Sequence, residues 1–291
     1  MYTKNFVNPC PDWATALLNG FSQVLLLRNP LCGVCCLLAI LLTAPALVGG
    51  ALLGALAGLL TAQRRGYERA DRQAGLYSYN GVLIGLLISA VLPWSAILPP
   101  LILAAGGLSS MLTHQWRKRG GPLLTAYTAP FVLLGCAALA LAEPAAPWVV
   151  AGEPVQGVLR GLGQVFLLDA PLAGLLIVLG LLIAHPYAAL WAVLGSTLGG
   201  GAALLADQPQ AAALGLYGFN TALAALAFSR HGERPWITLL AIALALLVQA
   251  LFAHAALPSL TAPFVIACWL MHLGGHLAGL ARRRNVQRLH G

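Results

Sequence analysis

Fourteen of the sixteen lysines and arginines in this chain fall at Lys4 or in four short clusters, and long apolar runs separate the clusters. The clusters are Arg64, Arg65, Arg69 and Arg72; Arg117, Lys118 and Arg119; Arg230 and Arg234; and Arg282, Arg283, Arg284 and Arg288. That spacing leaves few folds open. Only 8% of the residues are charged, 59% are hydrophobic and the mean hydropathy is +0.83. An ordinary soluble domain carries about 25% charged residues. A bilayer is the solvent that suits such a chain, with short charged gaps marking its edges. The formal charge of +8 would also suit nucleic acid, but its confinement to the gaps argues for membrane topology. Pro9, Pro11, Asp12 and Arg28 interrupt the first thirty residues, which argues against a cleaved signal peptide.

The apolar runs predict spans over 30–44, 46–61, 75–91, 97–113 and 126–142, then 171–184, 186–206, 215–228, 236–253 and 261–280. Two shorter amphipathic stretches, 12–27 and 156–168, precede the two sets. A span needs about 20 residues, so these stretches are expected to be re-entrant half-helices. With the N-terminus inside, ten spans place all fourteen clustered cations on the cytoplasmic side. The gaps 92–96, 207–214 and 254–260 carry none, and the central connector carries Glu143 and Glu153. Five spans per half turn the second copy over relative to the first.

The chain also repeats itself in wording. GLYSYNGVLIG (75–85) returns as GLYGFNTALAA (215–225), and LLTAYTAPF (123–131) returns as LPSLTAPF (257–264). One fixed offset aligns Gly20 with Gly161, Gln23 with Gln164, Val24 with Val165, Pro30 with Pro171 and Pro45 with Pro186. Leu and Ala coincidences are cheap in so apolar a chain; repeated Gln, Pro and Asn are not. The expected architecture is therefore an all-α integral membrane protein of two inverted repeats, 1–145 and 146–291. Each repeat holds five transmembrane helices and one re-entrant half-helix, with a pore at the pseudo-twofold interface.

Polar residues inside the apolar runs are the candidates for function. A buried polar group costs roughly 1–3 kcal/mol unless it is partnered. Asn80 and Asn220 favour a structural role, satisfying broken backbone across the repeat interface. Thr128 and Thr261 each precede a proline by two residues, and that proline is expected to free a carbonyl nearby. For Gln23 and Gln164, a pore-facing role and an interface role stay open together.

No Asp, Glu, Lys or Arg falls inside the ten spans, where an ion or proton pump would place them. His272 and His276 stand at metal-like spacing, but no third ligand is near in sequence, and no metal or other cofactor is expected. Cys32, Cys35 and Cys36 read as small buried hydrophobes rather than a disulfide or metal set. The glycines of GALLGALAG read as helix-packing positions, not a phosphate loop. The pore so inferred is neutral and narrow, and suits a small uncharged polar solute.

QVLLLRNPLCG and QVFLLDAPLAG, YSYNGVL and YGFNTAL, and the two Thr-Ala-Pro-Phe closings resemble the urea transporter family over nearly the whole chain. The resemblance implies a passive urea channel, with one pore in each protomer of a homotrimer; the compact chain without a long tail suggests a bacterial inner membrane, and the clustered cations place both termini in the cytoplasm. The resemblance carries the family's pore lining onto Gln23 and Thr128 as one polar ladder and Gln164 and Thr261 as the other. The slot between them would be walled by Val24, Leu83, Val165 and Leu223, with ring faces from Tyr79 and Phe219. Some relatives carry an acid at the position of Gln164 and aromatic rings at those of Leu26 and Leu167, which keeps thiourea, short amides and ammonia open as cargo. Two other classes compete: a gradient-coupled transporter for a small neutral solute, and a membrane enzyme or scaffold. No convergent nucleophile, acid and base in the spans supports an enzyme.

Overall fold

Proline sets where most helices of this chain begin. In the first turn its missing N–H costs nothing and its fixed φ already suits a helix. A computed structural model describes residues 12–121, 123–142, 154–229, 234–255 and 257–289. The first series of helices is α1 (Asp12–Gln23), α2 (Pro30–Thr43), α3 (Pro45–Arg64), α4 (Arg69–Gln73), α5 (Tyr79–Val91), α6 (Leu98–Arg119) and α7 (Ala129–Leu141). The second is α8 (Pro154–Gln164), α9 (Pro171–Ala184), α10 (Pro186–Leu205), α11 (Pro209–Ala213), α12 (Gly218–Phe228), α13 (Pro235–His254) and α14 (Ala262–Leu289). There is no strand among the described residues. The boundary placed between 145 and 146 lies outside the described residues, as do Lys4, Cys10, Glu143, Glu153 and Arg230.

The two series match helix for helix in order, and several match in length. The second and ninth helices both have 14 residues, the third and tenth both 20, and the fourth and eleventh both 5. The same neighbours meet in each series: α3 packs on α5 as α10 does on α12, and α1 on α2 as α8 does on α9. Glycines make these contacts close. A Cβ at Gly54 would lie 2.0 Å from the Gly81 carbonyl oxygen, and one at Gly85 equally close to that of Gly50. In the second series a Cβ at Gly199 would lie 2.4 Å from the Tyr217 oxygen. Backbone against backbone is the way helices gain dispersion energy where lipid removes the hydrophobic drive.

One difference between the series has a visible cause. α6 lies along α3, where Gly106 and Gly107 leave room for Ala57 and Thr61. The matching α13 contains no glycine and packs instead on α12 and α14. Between the halves, α2 meets α9, with Cys32 and Cys35 against Gly180, and α7 meets α14. The five described cysteines are free, and Cys32, Cys35, Cys36 and Cys268 are buried among apolar neighbours.

Four helical stretches are long and apolar enough to cross a bilayer: α3, α10, α13 and residues 262–280 of α14. α2, α5, α7, α9 and α12 are apolar but short, and a 14-residue helix rises only about 21 Å. The spans expected over 75–91, 126–142 and 215–228 are therefore corrected: their first three or four residues are turns, and the helices start at Tyr79, Ala129 and Gly218. α6 is longer than expected and carries Arg117, Lys118 and Arg119 in its last turn. α14 likewise runs on through the basic tail to Leu289. Leucines such as Leu41, Leu42, Leu247 and Leu251 stay exposed on the outer helix faces, as lipid contact requires.

Candidate functional site

Backbone strain marks the same places in both halves. Leu26 and Leu167 take the left-handed conformation at φ 60 and 59, and Tyr127 and Leu260 do so at φ 38 and 40. Gly66 and Asp207, and Gly75 and Gly215, are the remaining matched positions with positive φ. Such a conformation costs a non-glycine residue of order 1–3 kcal/mol and persists only where the surroundings enforce it.

Leu26 and Leu167 each end a helix. After α1, the Leu27 amide donates to Ser22 O at 3.2 Å and the Leu26 amide to Gln23 O at 2.9 Å. After α8, Leu168 donates to Gly163 O at 3.2 Å and Leu167 to Gln164 O at 3.0 Å. This is the double hydrogen bond of a Schellman close, in which glycine is the usual left-handed residue. Leucine in that position turns the chain sharply and leaves Gln23 and Gln164, both half-buried, as the last residues of their helices. Gln164 Nε2 reaches the Leu214 carbonyl at 3.4 Å.

Tyr127 and Leu260 stand before the other repeated phrase, and an asparagine holds each. Asn80 Nδ2 donates to Tyr127 O at 3.3 Å while its Oδ1 accepts from the Phe131 amide at 3.2 Å. Asn220 Nδ2 donates to Leu260 O at 3.1 Å while its Oδ1 accepts from the Phe264 amide at 3.2 Å. Each side chain thus spans the start of one helix, α7 or α14. The expectation of amides bridging the two repeats is corrected: each asparagine serves its own half. Asn80 also donates to Thr113 Oγ1 at 3.2 Å, and Asn220 to Gln249 Oε1 at 2.8 Å. The hydroxyl of Tyr79 adds a second donor to Tyr127 O, which Phe219 cannot match at Leu260.

Pro130 and Pro263 are the second residues of α7 and α14. Expected inside helices, they stand instead in the first turn, where no helical donor is lost. The carbonyls opened to side chains are those of Tyr127 and Leu260, freed by left-handed turns and not by proline.

Between these two helix starts, Thr128 Oγ1 and Thr261 Oγ1 lie 2.7 Å apart, both buried. Val24, Tyr79, Leu83, Val165, Phe219 and Leu223 all belong to one buried apolar cluster that includes Phe131 and Phe264. A cavity of about 380 Å³ brings Gln164, Val165, Phe219 and Thr261 together with Phe131 and Leu260. A second cavity of about 750 Å³ shares Gln164, Leu167 and Leu216 with it and is also lined by Thr43, Leu47 and Ser89 of the first half. Gln249 and Ser259 also line the smaller cavity, although sequence reasoning passed over them. Gln249 was legible as the one amide in the apolar α13; nothing local distinguished Ser259.

The smaller cavity is lined by no charged residue, whereas Asp169 lines the larger one. Arg160 Nε lies 3.3 Å from Asp169 Oδ1 without the alignment of a hydrogen bond, and Arg160 donates to Ala213 O at 3.1 Å. His272, half of the histidine pair, has its Nε2 2.9 Å from the Tyr127 hydroxyl and its ring stacked on that of Tyr127. No group of three His, Cys, Asp or Glu among the described residues could hold a metal ion.

Apolar helices with greasy outer faces around an uncharged polar centre make this a multi-pass membrane protein of the transport class. The family model described as "Urea transporter" matches residues 14–276, and the chain belongs to the urea transporter family. Urea transporter 1 of Ovis aries is 29% identical over 310 residues, covering 93% of this chain and 80% of the relative. Urea transporter 1 of Mus musculus is 29% identical over 304 residues, covering 90% of this chain and 76% of the relative.

Proposed function

We propose that this chain conducts urea passively, through a neutral passage where its two halves meet at Thr128 and Thr261. The observation that carries the reading is the lining of the 380 Å³ cavity: amides, hydroxyls, carbonyl-bearing turns and apolar walls, with no Asp, Glu, Lys, Arg or His among its residues. Membership of the urea transporter family supports the choice of solute.

The chemistry follows from the solute. Urea is planar, uncharged and rich in N–H donors. Oxygens of Gln23, Thr128, Gln164 and Thr261 replace the water that those donors leave. Each exchange nets only about 0.5–1.5 kcal/mol, so urea enters without being held. Val24, Leu83, Val165 and Leu223, with the rings of Tyr79 and Phe219, form the flat walls. An ion would lose its hydration shell against them with little compensation, at a cost of many kcal/mol. The starts of α7 and α14 add a second barrier to cations, because the positive ends of two helix dipoles face one spot.

The full architecture under this reading is ten spans in two inverted repeats, 1–145 and 146–291, with α1 and α8 re-entrant. Clustered arginines put both termini in the cytoplasm, and the protein works as a homotrimer in an inner membrane with one passage per protomer. The short helices α5, α7 and α12 then line the passage from within the bundle, where neighbouring helices cover their open ends.

Purified protein in sealed vesicles, followed by stopped-flow light scattering, tests the proposal. Urea permeability above that of empty vesicles, unaffected by collapsing proton and sodium gradients, is the expected result. Uptake that needs a gradient would replace the channel with a coupled transporter; permeability equal to empty vesicles would remove transport altogether.

A further inference from the structure

Sharing no lining residue with the two cavities above, a groove of about 320 Å³ lies between α1, the end of α3 and the short α4. Asp12, Trp13, Leu59, Gln63, Arg69 and Arg72 line it. The same end of the molecule holds Arg64 and Arg65, and Arg117 of α6 is tied to Asp71 at 2.9 Å. Arg69 is paired with Asp12. Arg72 has no ion-pair partner among the described residues, and its Nε is buried without a hydrogen-bond partner. That Nε is closed off from the groove, but the residue is only half-buried and its terminal nitrogens make no hydrogen bond among the described residues, so they are the donors left open to an acceptor in the groove. Trp13, which lines the groove, stands 63% exposed, and Leu60, next in sequence to the groove-lining Leu59, is exposed on α3. Tryptophan in that setting belongs to the headgroup layer of a bilayer, with apolar surface continuing toward the lipid tails.

Net electrostatic attraction by clustered arginines would explain their side of the membrane but not a concave site. The other half supplies the contrast. Its matching stretch after α10, residues 206–214, carries no Lys or Arg, as inverted repeats require of the opposite side of the membrane, so the basic groove belongs to the first half.

We propose that the groove binds the phosphate of an anionic phospholipid. Arg72 donates the N–H groups of its terminal guanidinium nitrogens to the phosphate oxygens, and Arg69 adds charge from the rim. Trp13 packs at headgroup level, and one acyl chain runs down α3 over Leu60. The lipid would steady the site proposed above for urea without touching it. α1 is already fastened to α4 by the Asp12–Arg69 pair and by Asn19 Nδ2, which donates to Gln73 O at 2.6 Å. α1 ends at Gln23, so a headgroup wedged between α1 and α4 fixes the helix that presents that amide.

The test is native mass spectrometry of full-length protein extracted from vesicles of equal parts phosphatidylcholine and phosphatidylglycerol. Wild-type protein is expected to retain phosphatidylglycerol selectively, and Arg72→Gln to lose that retention by about tenfold or more, the scale of a charge-assisted hydrogen bond. Gln63→Glu, an exposed change that puts an acid into the groove without disturbing the core, is expected to do the same. Arg65→Gln removes the same unit of charge outside the groove lining and is expected to retain the lipid. Equal loss in Arg65→Gln and Arg72→Gln would reduce the effect to diffuse charge and overturn the proposal, as would retention in both groove variants. A further arm uses phosphatidylcholine vesicles with inorganic phosphate. If phosphate alone raises thermal stability as much as phosphatidylglycerol does, the ligand is a free anion and not a lipid. Urea flux of wild-type protein in pure phosphatidylcholine separates this proposal from the transport reading, since flux there survives a failure of the lipid site.

Discussion

Thr128 Oγ1 and Thr261 Oγ1, 133 residues apart in sequence, stand 2.7 Å from each other where α7 and α14 begin. Among the described residues neither hydroxyl is held by its own half, so each has the other as its partner and keeps capacity for a further donor. In the passage proposed above, a urea N–H would displace that mutual bond and be displaced in turn, at nearly constant hydrogen-bond count.

Thr128→Val and Thr261→Val each remove one oxygen at similar volume and leave the other hydroxyl without its mate. Each is expected to slow urea flux about 2- to 10-fold, the rate equivalent of one hydrogen bond of roughly 0.5–1.5 kcal/mol. Thermal stability should fall by no more than the roughly 1–3 kcal/mol of one unpaired buried hydroxyl. Stopped-flow rates on matched protein densities check it, and unaltered rates in both variants would remove the threonines from the path.

The asparagines carry a different expectation. Asn220→Leu leaves Leu260 O and Phe264 N–H without their side-chain partners, at roughly 1–3 kcal/mol for each buried group. Asn80→Leu does the same to Phe131 N–H, but Tyr127 O keeps the Tyr79 hydroxyl. Asn220→Leu should therefore lower the melting temperature in detergent more than Asn80→Leu does. The reverse order would contradict the clamp geometry.

The sequence made much of this visible, for physical reasons. Pro30, Pro45, Pro171, Pro186 and Pro235 could be read as helix starts because proline suits a first turn, and α2, α3, α9, α10 and α13 begin there. Gln23, Asn80, Thr128 and their repeats stood out because polar groups in apolar runs need partners. What stayed hidden was backbone conformation. Nothing local in Leu26, Tyr127, Leu167 or Leu260 announces a left-handed turn; tertiary packing imposes it, and it shortens the helices that hydropathy alone would extend. Side-chain partnership was hidden too, so that the asparagines were assigned to the wrong neighbours while their structural character was read from the residue type.

Leu167 lines both the 380 Å³ and the 750 Å³ cavities, and so forms part of the wall between them. Leu167→Gly relieves a left-handed leucine, worth roughly 1–2 kcal/mol, and gives up half-buried apolar contact of similar size. Stability should change little. The widened passage is expected to raise acetamide flux relative to urea in the same vesicles; an unchanged ratio would place Leu167 outside the selective part of the path.

The most direct measurement places a thiol at the junction of the halves. Thr261→Cys in reconstituted vesicles, treated with a small methanethiosulfonate reagent, should lose urea flux, regain it on reduction and be protected by high urea, while wild-type protein treated alike is unaffected. Full modification of Cys at 261, verified by mass, with urea flux intact would show that the solute travels elsewhere.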